Sequence, residues 1–209
     1  RSVSELTLSL MINMLRHVHL ANSEVQSGIW RQVIGRQLSG ATIGIIGCGH
    51  VGKDLIKLLR PFECQILVND IVDYPSFYDE YDVQRASLPQ LMAMSDIVSI
   101  HVPLNIDTQG ILDAKMLSLM KTSAILINIA RGGLVDELAL KNMLIDNRLS
   151  GAAFDVFDSE PPKDIELLSL PNFLATPHIG GSSEEAVLAM GRSAINGLEH
   201  NSVPQVDTK

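Results

Sequence analysis

The chain has 209 residues, 46% of them hydrophobic, which is enough for one sizeable core. Its formal charge of −8 argues against nucleic acid or an anionic membrane surface as a main partner. Two cysteines, Cys48 and Cys64, make neither a disulfide framework nor a metal site. With no signal peptide and no apolar run near the ~20 residues that span a bilayer, the expectation is a reducing, cytoplasmic setting.

Ser2 to Glu5 reads as a capping box, with Ser2 as the N-cap of a helix running to about Gln26. Leu6, Leu8, Leu10, Met11, Ile12, Met14 and Leu15 make its first half apolar nearly all round. Such a helix is buried on several sides, so a homodimer through this helix is expected. His17 and His19 lie two apart and face different directions, which excludes a helical metal pair.

A polar linker runs from Trp30 to Gly40, and then strands and helices alternate. Strands are expected at 42–46, 65–69, 96–100, 123–128, 151–155 and 173–176, with a weaker one near 82–85. Helices are expected at 50–60, 88–94, 113–120, 136–146 and 183–200, with Asp113 and Asp136 as N-caps. The runs around Val98 and Leu126 suit strands buried on both faces. The pattern is that of an α/β, doubly wound parallel sheet of the Rossmann type, with a long N-terminal helix. Residues 1–201 are read as one domain with connecting helices at both ends, and 202–209 as a tail.

The first strand leads into Gly47, Gly49 and Gly52, spaced G-x-G-x-x-G, and a helix follows with Leu55, Ile56, Leu58 and Leu59 on its apolar face. The first glycine permits a tight turn, the second lets backbone approach a pyrophosphate, and the third lets helix and strand pack closely. The helix amides, beginning at His50 and Val51, then face the phosphates. Asp70 ends the second strand eighteen positions after Gly52, near the roughly 20-residue spacing of a ribose-binding carboxylate. It accepts from ribose hydroxyls and repels a 2′-phosphate. No Arg or Lys follows at Ile71, Val72 or Asp73, so the expected cofactor is NAD rather than NADP.

Ligands of such sheets bind outside the carboxyl ends of the strands, where four polar clusters fall. They are His101 to Pro103, Asn128 to Asp136, Asp155 to Pro162, and Thr176 to Ser182. Together they supply a guanidinium, carboxylates and imidazoles. That set suits hydride transfer between a nicotinamide and a hydroxy acid. Oxidising an alcohol needs a base for the hydroxyl proton, and reduction runs the same step backwards. Histidine serves both directions near neutrality, and a neighbouring carboxylate orients it and favours its charged form. Arg131 suits a substrate carboxylate, held through its planar fork.

In these motifs the chain resembles the D-isomer-specific 2-hydroxyacid dehydrogenases, including phosphoglycerate dehydrogenases. The resemblance is carried by Gly47–Gly52, His101–Leu104, Asn128–Glu137, Phe154–Pro162 and Thr176–Ser182, and covers nearly the whole chain. It implies that Arg131 binds the substrate carboxylate and 2-oxo group, that His178 is the acid/base and that Glu160 is its partner. It also implies that Asp155 sits by the nicotinamide carboxamide and Asp70 by the adenosine ribose. The cofactor-binding set is then Gly47, Gly49, His50, Val51, Gly52, Asp70, His101, Pro103, Ala130, Asp155 and Gly180, with no metal.

Members of the family carry a separate substrate domain, built mostly from sequence before the first long helix, which these 209 residues do not include. On the Arg131, Glu160 and His178 set, the expected activity is an NAD-dependent oxidoreductase acting on a small D-2-hydroxy acid or its 2-oxo counterpart. Two alternatives stand beside it: an NAD(H)-sensing, corepressor-like binding protein, and a cofactor-domain fragment inactive alone, the latter suggested by Arg1 in place of Met.

Overall fold

The computed structural model describes residues 1–199; the expected tail at 202–209 and the last position of the 183–200 helix lie outside them. Seven strands form one sheet: β1 (Thr42–Ile46), β2 (Gln65–Asn69), β3 (Val83–Arg85), β4 (Ile97–Ile100), β5 (Ile125–Asn128), β6 (Gly151–Phe154) and β7 (Phe173–Ala175). Their spatial order is β3-β2-β1-β4-β5-β6-β7, and every pairing is parallel. The order reverses between β1 and β4. In an open α/β sheet that switch point opens a crevice at the carboxyl ends of the strands.

The helices described are α1 (Ser2–Arg16), α2 (Val18–Gln26), α3 (His50–Leu59), α4 (Pro75–Tyr81), α5 (Leu88–Met94), α6 (Ala114–Leu117), α7 (Glu137–Ile145), α8 (Ile165–Leu168) and α9 (Glu184–Glu199). Strands β4, β5 and β6 are buried along their whole length, because helices cover both faces. One core holds Leu10, Met11, Met14, Ile45, Leu55 and Ile127, under α1 and α3. The other holds Leu91, Leu126, Leu140, Leu144, Phe154 and Phe173, under α5, α7 and α8.

The first helix departs from expectation in three ways. It breaks at His17, whose φ of 53° is left-handed, and resumes as α2. The amide of Arg36 takes the carbonyl of Leu15 at 2.9 Å, the acceptor that the amide of His19 needs in an unbroken helix. The capping box is also absent. Arg1 is the N-cap without a side-chain bond, and the Ser2 hydroxyl donates instead to the carbonyl of Gly180 at 2.7 Å. Finally, the apolar girth of α1 is covered in part by this chain itself: Leu10, Met11, Met14 and Leu15 are buried, while Ile12 on the outer side is exposed.

Asp113 and Asp136 cap α6 and α7, accepting from the amides of Met116 and Ala139 at 2.8 and 2.9 Å. Helix α6 is shorter than the expected 113–120 because its continuation tightens into three-residue turns, with Leu119 and Met120 amides donating to Met116 and Leu117 carbonyls. Helices α4 and α8, at seven and four residues, are too short to leave a periodic pattern.

Candidate active site

The glycine loop is built as its spacing demands. Gly47 ends β1 with a φ of 98°, and its amide donates to the carbonyl of Asn69 at 2.8 Å. A Cβ at Gly47 would stand 2.8 Å from the carbonyl of His101, and one at Gly52 only 2.2 Å from that of Gly47. Gly49 is the N-cap of α3 and faces open space, and no side chain caps the helix start at His50 and Val51. This bare cradle with uncapped amides fits a pyrophosphate. At the end of β2, Asp70 accepts from the amides of Cys48 and Val72 at 2.5 and 2.7 Å, so the carboxylate also braces the loop.

Next to the loop lies a cleft of about 310 Å³ lined by Val3, Val51, His101, Pro103, Ala130 and Arg131. The structure thus gathers five expected residues from three chain segments, with Val3 added from a fourth. His101 closes its floor. Its Nε2 lies 2.9 Å from the Ser99 hydroxyl, and burial of the ring depresses the imidazole from 6.5 to about 4. It is neutral near pH 7 and unsuited to proton transfer there.

The remaining groups stand at the ends of β5, β6 and β7. Asn128, buried, ties the loop after β5: its amide donates to the carbonyl of Arg131 at 2.9 Å, and its oxygen accepts from Ala130 at 3.1 Å. Arg131 itself is exposed, with Nη1 2.6 Å from the carbonyl of Ala130. Asp155 is 1% exposed, and its carboxylate accepts from the Thr176 hydroxyl and from the amides of Ile179 and Gly180, at 2.5, 2.8 and 2.7 Å. Those bonds bracket His178, whose φ of 55° turns its side chain out of the loop. The Nδ1 of His178 lies 2.8 Å from Oε2 of Glu160, whose Oε1 accepts from the amide of Phe157 at 3.2 Å. The bond to His178 holds the Glu160 carboxyl below its ordinary range, with smaller help from the Phe157 amide and the charge of Arg131.

Because a carboxylate only accepts, Nδ1 of His178 is the donor, and Nε2 is left for a reacting group. A second, mainly apolar cavity of about 440 Å³ adjoins the pair, lined by Asp155, Phe157, Glu160, Pro161, Thr176 and His178 among others. Asp70 and the acid–base pair are not brought together. They stand on β2 and on the loops after β6 and β7, with β1, β4 and β5 between β2 and β6. Four strand spacings make about 19 Å, on the scale of an extended dinucleotide lying across the sheet.

The family model described as "D-isomer specific 2-hydroxyacid dehydrogenase, NAD binding domain" matches residues 8–180. The chain belongs to this family. Among curated 2-hydroxyacid dehydrogenase relatives, the D-3-phosphoglycerate dehydrogenase of Escherichia coli is 39% identical over 89% of this chain and 47% of its own length. The hydroxypyruvate reductase of Thermotoga maritima is 36% identical over 91% of this chain and 63% of its own. Among solved structures, the Aquifex aeolicus D-lactate dehydrogenase complexed with NAD and lactic acid superposes with a TM-score of 0.89 at 26% identity. That match covers 95% of this chain and 65% of the other. The chain thus spans less than two thirds of the length of these relatives.

Two contributors to the candidate site escape a reading of its motifs. Val3 lines the cleft beside the glycine loop from α1, and Ser2 holds the His178 loop through Gly180. Both lie far from the glycine loop in sequence, and an apolar residue and a serine at a helix start carry no chemical signature of their own.

Proposed function

We propose that the chain is the cofactor-binding part of an NAD-dependent oxidoreductase that interconverts a small D-2-hydroxy acid and its 2-oxo counterpart. The observation that carries this reading is the 2.8 Å contact of His178 Nδ1 with Glu160, beside the charge of Arg131. The glycine cradle and the α3 amides would hold the pyrophosphate, Asp70 the adenosine ribose, and Asp155 with Gly180 the carboxamide end. When bound, NAD supplies the acceptor and donor of hydride.

This chain's residues do the rest. Arg131 binds the substrate carboxylate by paired hydrogen bonds and polarises the adjacent C2 oxygen. In oxidation, Nε2 of His178 takes the hydroxyl proton, and in reduction it returns that proton to the C2 oxygen. Glu160 keeps Nδ1 as the donor, so Nε2 faces the substrate, and its charge offsets the imidazolium that forms. The apolar walls of the neighbouring cleft, Val3, Val51 and Pro103, limit water around the reacting groups.

The test starts with the chain titrated with NADH and, in parallel, NADPH, read by energy transfer from Trp30, its only tryptophan. Saturable binding with an NADH preference is expected. Turnover of 2-oxo acids is then measured in a protein extended to the length of its relatives. NADH binding that changes assembly or partner capture while no 2-oxo acid is reduced would instead favour the cofactor-sensing, corepressor-like reading. A homodimer belongs to the proposal too, through the exposed side of the first two helices at Ile12, Val18 and Val25. A monomer at micromolar concentration by light scattering contradicts it. The setting is a reducing, cytoplasmic one, in keeping with Cys48 and Cys64 both free. Among the described residues no helix is long and apolar enough to cross a membrane.

A further inference from the structure

Arg131, Glu160 and His178 stand on three separate loops, after β5, β6 and β7. The sheet fixes where those loops begin, but not the span between the side chains they carry. The β6 and β7 loops are joined by Asp155 and by the Glu160–His178 contact itself. The β5 and β6 loops are joined by a different set of groups, which the proposed chemistry does not use.

Asp158 lies at the centre of that set. Its carboxylate accepts from the amide of Gly133, two residues after Arg131, and its own amide donates to Oε1 of Glu137 at 2.9 Å. The preceding amide, that of Phe157, donates to Glu160. Consecutive amides of one turn therefore hold Glu137 on one side and the partner of His178 on the other. Backbone meets backbone at the same place: a Cβ on Gly132 would stand 1.9 Å from the carbonyl of Phe157. Glu137 opens α7, a helix anchored by the buried Leu140 and Leu144, so its carboxyl is a fixed point.

Glu137 is costly where it is. It is half-buried, has no ion pair among the described residues, and faces the carboxylates of Asp158 and Asp164. Lys141, four residues further along α7, is engaged by Asp164 and Glu166. Burial first, and then the neighbouring carboxylates, push the Glu137 acid above its ordinary range. An acid held against its electrostatics is doing something its geometry requires.

We propose that Glu137 and Asp158 are positioning residues: they clasp the Arg131 loop to the turn bearing Glu160, and so set the span between the guanidinium and the His178–Glu160 pair. The inference rests on the oxidoreductase reading for its consequence, and on the clasp alone for its geometry.

The experiment uses this chain with Glu137→Ala, Glu137→Gln and Glu137→Asp, probed with NADH, with oxamate added to the NADH complex, and by imidazole ¹⁵N spectra of His178 without ligand. Glu137→Ala is expected to weaken oxamate by about 10- to 150-fold, the scale of one charge-assisted hydrogen bond. It should shift the Nδ1 signal of His178 and leave NADH affinity unchanged. Glu137→Gln keeps an oxygen that accepts from Asp158 and should restore both. If Glu137→Ala does not fold, Glu137→Asp, one methylene short, must show the same split. Unchanged oxamate affinity and His178 signal overturn the proposal, as does a loss of NADH affinity in equal proportion. If the unmodified NADH complex takes no oxamate, the substrate-binding reading fails for this chain on its own. The clasp is then decided by the ligand-free signal: a shift reversed by Glu137→Gln sustains it, and no shift overturns it.

Discussion

His178 and Glu160 face each other 2.8 Å apart across two loops, with the left-handed backbone of His178 held on both sides by the buried carboxylate of Asp155. The pair is open to solvent on its other side. Replacing His178 with Ala in the extended protein is expected to lower turnover by about 10²- to 10⁴-fold, the usual worth of a positioned acid/base. NADH affinity should not change, because the role proposed for His178 concerns only the substrate proton. The same substitution frees the Glu160 carboxyl, whose titration should move up toward the ordinary range when followed by carboxyl ¹³C shifts. A depressed acid stabilises the fold above its ordinary pKa and loses that contribution as pH falls. Near-normal turnover of the Ala variant removes His178 from the mechanism.

Asp70 braces the glycine loop through its bonds to Cys48 and Val72, and in the proposed function it also holds the ribose. Asp70→Ala is expected to weaken NADH by about 10- to 100-fold, the scale of one hydrogen bond to a charged acceptor. NADPH, which the carboxylate repels, should lose less or gain. The preference, measured as the ratio of the two dissociation constants, therefore narrows. An unchanged ratio shows that selectivity resides elsewhere on the β2–β3 edge.

Much of this arrangement was legible in the sequence because each part of it is local. The glycine loop needs its spacing, and the central strands are continuous apolar runs because helices cover both their faces. Arg131, Glu160 and His178 fall in the loops that follow strands, where an open α/β sheet places its ligands. What could not be read depends on distant partners. The break at His17 answers to Arg36 taking the Leu15 carbonyl, and Ser2 abandons its cap for Gly180 at the far end of the chain. His101 was placed in the cleft, but its depressed titration follows from enclosure that no motif records. The link through Asp158 joins residues 25 apart, in loops that look independent in the sequence.

Gly132 and Gly49 make a controlled contrast. A methyl on Gly132 would meet the carbonyl of Phe157 at 1.9 Å and the amide of Asp158 at 2.6 Å, both rigid backbone, whereas one on Gly49 meets nothing within 4 Å. Gly132→Ala is expected to cost about 1–3 kcal/mol in urea unfolding, the scale of an overpacked site. Gly49→Ala should stay within about 0.5 kcal/mol of the unmodified chain, as an open position does. Its effect should appear in NADH binding, because the methyl enters the space proposed for the pyrophosphate. Equal stability losses at both positions would contradict the close approach of the Arg131 and Glu160 loops.

His101 makes the fold sensitive to mild acid. In the unfolded chain its imidazole takes up a proton near 6.5, whereas in the enclosed site it does so only near 4. Between those values the unfolded state binds more protons, so stability falls as pH is lowered and is regained as pH rises. By that linkage the loss between about pH 7.5 and about pH 5 reaches about 2 kcal/mol from this one residue. The raised acid of Glu137 works in the opposite sense, since there the folded state takes up its proton first. Comparison with His101→Gln isolates the histidine, because Gln does not titrate. Urea midpoints should fall between the two pH values in the unmodified chain, and fall less in the Gln variant. Parallel losses in both proteins would mean that the ring of His101 reaches water in the folded state.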